Sequence, residues 1–210
     1  MTKNFFFAVA ITFSGFINAQ NSESDSEFKF GVKAGYTLSN MKFFDNKLDS
    51  KSYFYAGLVG EEPVSSKVGI QAEIIYTEIG GSESYYDYVL AEDPLLSSGE
   101  LNFDYQLSQL QVPISVKYYF IPNLSASAGM NFAINISKKV KADVYGNGTM
   151  TYEYENVKTL NLFPFLGAEY RITDNFFVDA RYNFNFFEIN KEYLPTKIGF
   201  LQAGVGYRFK

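Results

Sequence analysis

Charged side chains recur at every second position of segments whose other positions are large and apolar. They are Lys29, Lys33, Glu73, Lys117, Glu169, Arg171, Asp179, Arg181 and Arg208. Six cations and three anions on one enclosed surface have to pair or reach trapped water, because burying a lone charge is costly. Structural ion-pair networks resemble reactive sites in their chemistry. We therefore interpret these residues as an ionic network that fastens a polar interior.

Catalytic chemistry has little support in this chain. No histidine and no cysteine occurs among the 210 residues, which excludes histidine-based triads and most zinc sites. Glycine-rich nucleotide loops, EF-hand loops and zinc-ligand spacings are also missing from the sequence, so we expect no cofactor and no metal. Asp87 and Glu92 could act as a carboxylate pair, but nothing in the sequence fixes their separation. We expect a protein that is not an enzyme.

The composition indicates an exported membrane protein that crosses with strands. Acidic residues outnumber basic ones, 23 to 18, which gives no support for a nucleic-acid partner. The chain has 22 Phe and 17 Tyr but no Trp, and its mean hydropathy is only −0.11. No apolar run beyond the N-terminus is long enough for a membrane helix. A Tyr-rich, Gly-rich and modestly hydrophobic chain is typical of a transmembrane barrel, since half of each strand is polar.

The first residues have the layout of a secretory signal peptide. Lys3 precedes an apolar run from Phe5 to Phe13, and small residues follow up to Ala19. The run is too short to span a bilayer as a helix. We expect residues 1–19 to be a cleaved signal peptide and residues 20–27 a flexible lead-in. Residues 28–210 then form one barrel domain.

Eight segments alternate in the manner of β-strands. They cover residues 28–39, 52–61, 67–77, 104–120, 124–137, 160–172, 175–187 and 199–210. The connections alternate in length: short turns lie near residues 62–66, 121–123 and 173–175, and longer polar loops span 41–51, 80–99, 138–158 and 188–197. Short turns at one end and long loops at the other are the pattern of outer-membrane barrels, with turns and termini in the periplasm. The predicted fold is all-β, an eight-stranded antiparallel up-and-down transmembrane β-barrel.

Pro113 and Pro164 lie inside predicted strands, where we expect local bulges.

In each strand the polar residues occupy one alternating set of positions, the polar parity, and the apolar residues occupy the other, the apolar parity. The character of the polar parity decides which face is inside. It is rich in Gly, Ser, Asn and Gln rather than in the charged residues of a solvent face. The apolar parity carries aromatic residues near strand ends, as in the girdles of membrane barrels: Phe28, Tyr76, Tyr118, Phe120, Tyr170, Phe176, Tyr207 and Phe209. Since eight strands leave room only for side chains, we expect a plugged lumen and no pore. A narrow small-solute channel and a soluble periplasmic lipocalin-like barrel are the alternatives.

One predicted loop is suited to binding a partner. Residues 80–100 contain Tyr85, Tyr86 and Tyr88 among several acidic residues. Tyrosine offers a large contact area and a hydroxyl at low entropic cost. The segment is therefore a candidate contact surface, with a merely solvated extension of two strands as the alternative.

Three stretches resemble the PorT-like outer-membrane β-barrel family, often called "porin family protein". They are FGVKAGYTLSNMKF, LQVPISVKYYF and GFLQAGVGYRF. The resemblance implies an integral outer-membrane barrel, with some relatives implicated in protein secretion, and it brings no catalytic residues. The ending with Tyr207 and Phe209 also resembles the signal read by the barrel-assembly machinery, although Lys210 follows it. The partners implied are outer-membrane lipid, that machinery and an envelope protein.

Overall fold

The computed structural model describes residues 28–44, 46–87, 99–144, 148–190 and 195–209. The expected signal peptide and lead-in lie outside these residues, as does Tyr88. Within the described part of the chain, no helix is long and apolar enough to cross a bilayer.

Eight long strands form a closed antiparallel ring. They are β1 (Lys29–Phe43), β3 (Asp49–Pro63), β4 (Val68–Asp87), β5 (Gly99–Ile121), β6 (Leu124–Val144), β8 (Leu160–Arg171), β9 (Phe176–Asn183) and β10 (Thr196–Arg208). Each ring strand pairs with the next one along the chain, and β10 pairs with β1. Two short strands, β2 (Asn46–Lys47) and β7 (Thr149–Glu153), pair with β1 and β6. The predicted eight-stranded up-and-down barrel is confirmed.

Glycines shape the seam where the ring closes. Gly35 of β1 lies directly opposite Gly204 of β10. The buried ring of Tyr55 packs against both, because a Cβ added at either glycine would overlap with its side chain. Only a residue without a Cβ lets the tyrosine ring lie this close to the seam.

The short turns are where the sequence predicted them, but the long loops are not. β3 ends at Pro63 and β4 begins at Val68, and only two residues separate β5 from β6. In contrast, β4 continues to Asp87 and β6 to Val144, and β7 spans Thr149–Glu153. Residues 80–87 of the first predicted loop and 138–144 and 149–153 of the second are therefore strand. The loop prediction was wrong for these residues because their polar side chains do not interrupt strand pairing, which continues from the barrel between β4 and β5 and between β5 and β6.

The predicted bulges at the two prolines are also wrong. Across Pro113 the β4–β5 ladder keeps its register, since Ala72 pairs with Ile114 and Ile75 with Gln111. The two residue pairs that would lie between these are not formed. Pro164 pairs in register with Met130, and on its other side its carbonyl accepts a hydrogen bond from Phe184, just beyond the end of β9. Each proline thus lies where the ladder is open or ending, and its missing N–H leaves the register intact. The register shifts occur elsewhere, including between Ser108 and Gln109.

The outward face of the barrel changes from apolar to polar along β1. In β1, the exposed Val32, Tyr36 and Leu38 are followed by Asn40 and Lys42. The inward face changes in the opposite sense. Lys33 and Thr37 are followed by the buried Met41 and Phe43. Apolar side chains face outward only where lipid surrounds the strand, so this inversion marks the upper edge of the apolar belt.

Candidate functional site

Two ionic clusters fill the lower lumen, and we call each a quartet. The middle quartet consists of Lys33, Glu73, Asp179 and Arg181. Arg181 donates through two nitrogens to the carboxylate of Glu73, at 3.0 and 2.7 Å. Lys33 Nζ lies 2.5 Å from Asp179 Oδ2 and 3.3 Å from Glu73 Oε2. Two cations and two anions leave the quartet neutral.

The lower quartet, nearer the short turns, consists of Glu61, Lys117, Glu169 and Arg208. Lys117 Nζ lies 2.9 Å from an oxygen of each glutamate. Arg208 Nη2 is 2.9 Å from Glu61, and its Nη1 is 2.8 Å from Glu169. Cations and anions alternate around a closed cycle that joins β3, β5, β8 and β10. All four side chains are buried, so the cycle ties four walls of the lumen together.

Two predicted network residues lie at the rim of the lower quartet. Arg171 donates to the carbonyl of Pro122 and stacks on the Tyr119 ring, while the Tyr119 hydroxyl donates to Glu61. Lys29 is half-buried. Neither Lys29 nor Arg171 forms an ion pair with another described residue. The structure thus brings seven of the nine predicted residues into the quartets and leaves these two at the mouth.

Glu61 is the quartet member that sequence reasoning missed. It is 1% exposed and bridges Lys117 and Arg208. Its strand alternates less regularly, although Tyr55, Val59 and Glu61 share the inward parity. With Glu61 included, the two quartets contain equal numbers of cationic and anionic side chains. The excess of cations expected from the sequence is therefore absent from them.

Above the quartets, amide side chains form a hydrogen-bonded layer. Asn131 donates to Gln111 at 3.0 Å and to Asn183 at 3.1 Å. Gln202 donates to Thr37 at 3.2 Å and to Gln111 at 3.3 Å. These bonds connect opposite walls of the barrel across the lumen.

An apolar plug closes the upper lumen. Its buried members are Met41, Phe43, Leu48, Ile79, Leu107, Ala133, Val157, Phe163, Ile189, Ile198 and Phe200. The rings of Phe163 and Phe200 pack edge to face at 5.1 Å. The plug lies at the level where the outer face becomes polar, so it is a core like that of a water-soluble protein. No apolar plug was predicted from the sequence.

Above the plug, β4, β5 and β6 continue beyond the barrel, and together with the short strand β7 they form a protruding sheet. On its inward face, Glu83 accepts hydrogen bonds from Tyr85 at 2.7 Å and Tyr105 at 2.8 Å. The hydrogen bond of Tyr85 to Glu83 raises the pKa of Tyr85. Burial, and next its own hydrogen bond to Glu83, raises the pKa of Tyr105. Tyr86 lies in β4 opposite Glu100. The predicted tyrosine loop is therefore strand up to Asp87.

A closed ring of eight strands with a lipid-facing apolar belt and a side-chain-filled lumen defines an outer-membrane β-barrel protein. Residues 18–191 match the family described as "Outer membrane protein beta-barrel domain". The chain belongs to this family.

Solved structures of outer-membrane barrels share the fold. Ail, the attachment invasion locus protein of Yersinia pestis, is 18% identical with a TM-score of 0.52, covering 87% of this chain and 99% of Ail. Ail in complex with the heparin analogue sucrose octasulfate gives a TM-score of 0.50 at the same identity and coverage. Neisserial surface protein A is 16% identical with a TM-score of 0.53, covering 86% of this chain and 97% of that protein. No curated protein sequence matches the chain significantly.

Proposed function

We propose that the chain is a non-conducting, non-enzymatic outer-membrane barrel that binds an extended segment of another protein along β7. The observation that carries this proposal is the edge of the protruding sheet. Among the described residues, β7 pairs with β6 alone, and all five of its residues are exposed. An unpaired edge offers a row of N–H and C=O groups to a further strand, which is how many domains bind extended peptides.

The side chains of β7 supply anchors beside that edge. Met150 and Tyr152 are 59% and 55% exposed. They lie on one face, opposite Ala142 and Val140 of β6. Large exposed apolar side chains next to free backbone groups favour a protein ligand, because aromatic anchors carry much of the binding energy in protein interfaces.

The filled lumen supports the non-conducting part of the proposal. A permeating ion would have to break both quartets and then pass the buried Phe163 and Phe200. Neutral quartets also give no net charge to select an anion, which weakens the channel alternative. Family membership favours the membrane barrel over the soluble lipocalin-like alternative.

The orientation belongs to the proposal as well. We place the protruding sheet outside the cell and both chain ends in the periplasm, because outer-membrane barrels have short periplasmic turns and longer external hairpins. The resemblance to the PorT-like family suggests a partner in protein secretion or surface assembly. Tyr207 and Phe209 are proposed to guide insertion by the barrel-assembly machinery.

A single proline substitution in β7 tests the binding edge. Tyr154 donates its N–H to the Lys138 carbonyl at 3.1 Å. Because donors alternate in direction along a strand, the N–H of Thr151 points away from β6 to the free edge. Thr151→Pro removes this donor, while Thr151→Val retains it.

The readout is in-cell cross-linking from a photoreactive residue at position 150. A cross-linked protein partner should form in the parent and in Thr151→Val, and should be lost in Thr151→Pro. Equal cross-linking in all three, or none in the parent, would contradict the proposal. Heat-modifiable gel mobility confirms that each variant forms a barrel.

A further inference from the structure

Three lysines lie side by side on the outer wall of the barrel. Lys42 of β1 is directly opposite Lys197 of β10 and directly opposite Lys47 of β2. The neighbouring Met41 and Ile198 are fully buried, so alternation directs the lysines outward. Side chains directly opposite each other are about 5 Å apart at Cβ, and like charges there are destabilising.

Other lysines at this end of the barrel are placed differently. Lys139 lies opposite Glu153, and Lys141 lies opposite Asp104. Lys51 forms an ion pair with Asp104 at 2.7 Å. In contrast, none of Lys42, Lys47 and Lys197 forms an ion pair with another described residue. Within the described ranges, the three therefore make a local cluster of positive charge without an ion-pair partner.

The cluster lies just above the apolar belt. Below it on the same face come Asn40 opposite Gly199, and then Leu38 opposite Leu201. Both leucines are 41% exposed. Lys42 is four positions after Leu38, which is about 13 Å along a strand and about 10 Å in height at the tilt usual for a barrel. This is the depth of lipid headgroups, which extend several ångströms beyond the hydrocarbon core.

We infer that Lys42, Lys47 and Lys197 bind the phosphate groups of a lipid in the leaflet nearest the protruding sheet. Ammonium groups on flexible stems bind phosphate as point charges, and a bound anion removes the repulsion between the three lysines. A lipid fits better than free phosphate, because the apolar surface at Leu38 and Leu201 continues directly below to receive its acyl chains. The inference goes beyond partner binding and uses the proposed orientation only to name this leaflet as the outer one.

The test uses the full mature chain refolded in phosphatidylcholine nanodiscs. The probe is a bis-phosphorylated glucosamine lipid, with its dephosphorylated form and inorganic phosphate as separate arms. The variant K42Q/K47Q/K197Q removes the cluster. Its matched control, K51Q/K139Q/K141Q, removes the same charge from the same end of the barrel.

Each lysine near a membrane surface contributes about fivefold to binding of an anionic lipid, so the cluster variant should lose about 100-fold in affinity. The control should lose at most a few-fold, and K42R/K47R/K197R should bind nearly as the parent does. Equal losses in the cluster variant and the control would overturn the inference, as would equal binding of the dephosphorylated lipid or displacement by millimolar inorganic phosphate. Thr151→Pro should bind the lipid normally, which separates this outcome from that of the partner proposal.

Discussion

Arg181 of β9 and Glu73 of β4 form a bidentate ion pair although 108 residues separate them in the chain. The two side chains are 3% and 2% exposed. Because neither charge reaches bulk water, each depends on the other and on Lys33 and Asp179 for its stabilisation. The middle quartet therefore acts as one unit that joins β1, β4 and β9 across the lumen.

Breaking this unit should be costly. Arg181→Met leaves the Glu73 carboxylate with Lys33 as its one described cationic partner, beside the hydrogen bond from Gln71. We expect the free energy of unfolding to fall by about 3–5 kcal/mol, as for other buried ion pairs that lose one partner. Lys51→Met, which removes the half-exposed ion pair with Asp104, should cost less than about 1 kcal/mol. Urea unfolding in lipid vesicles, followed by far-UV circular dichroism because the chain has no Trp, measures both. Equal effects would contradict a buried middle quartet.

Glu61 and Glu62 provide a neighbouring pair for the lower quartet. Glu61→Gln leaves Lys117 and Arg208 sharing Glu169, and we expect a loss of about 3–5 kcal/mol. Glu62 forms none of the ion pairs between described residues, so Glu62→Gln should change stability by less than about 0.5 kcal/mol. The same unfolding assay measures both, and a larger effect at Glu62 would show that the strand register is wrong.

The apolar plug should contribute as a protein core does. Phe200→Ala removes a fully buried ring that packs against Phe163, and we expect a loss of about 3–5 kcal/mol. Met150→Ala, at a 59% exposed position, should be nearly neutral. If Phe200→Ala were also nearly neutral, the upper lumen would be solvated.

The lipid-facing parity can be tested at two positions of one strand. Val116 lies in the middle of the β5 belt and Ile121 at its end, and each is 55% exposed. Val116→Arg should lower stability by about 2–4 kcal/mol, whereas Ile121→Arg near the interface should cost about 0–1 kcal/mol. Unfolding in vesicles gives both values. Equal costs would mean that lipid does not surround Val116.

The strand parity, the short turns and the ring closure were predictable because the apolar belt imposes one period on every strand. The pairing within the quartets was less predictable from the sequence. Seven members follow from parity, but which cation meets which anion depends on the stagger of strands around the ring. Glu61 was missed because Gly57 and Gly60 interrupt the alternation of its strand.

The plug and the protruding sheet could not be recognised from alternation alone. Met41 and Ile79 share the inward parity of the polar lumen residues. Without knowledge of where the membrane ends, each looks like an apolar exception in the polar set of alternating positions. In β6 the register shift next to Ile136 also exchanges the two faces. Lys139 and Lys141 therefore point outward, although the parity of the lower strand would turn them inward.

Single-channel recording in planar bilayers measures whether the barrel conducts. Because two neutral quartets and the apolar plug close the lumen, the purified protein should insert without producing conductance steps, and Arg181→Met alone should not open it. Sustained ohmic steps from the parent protein, at a level that scales with salt concentration, would contradict a closed lumen.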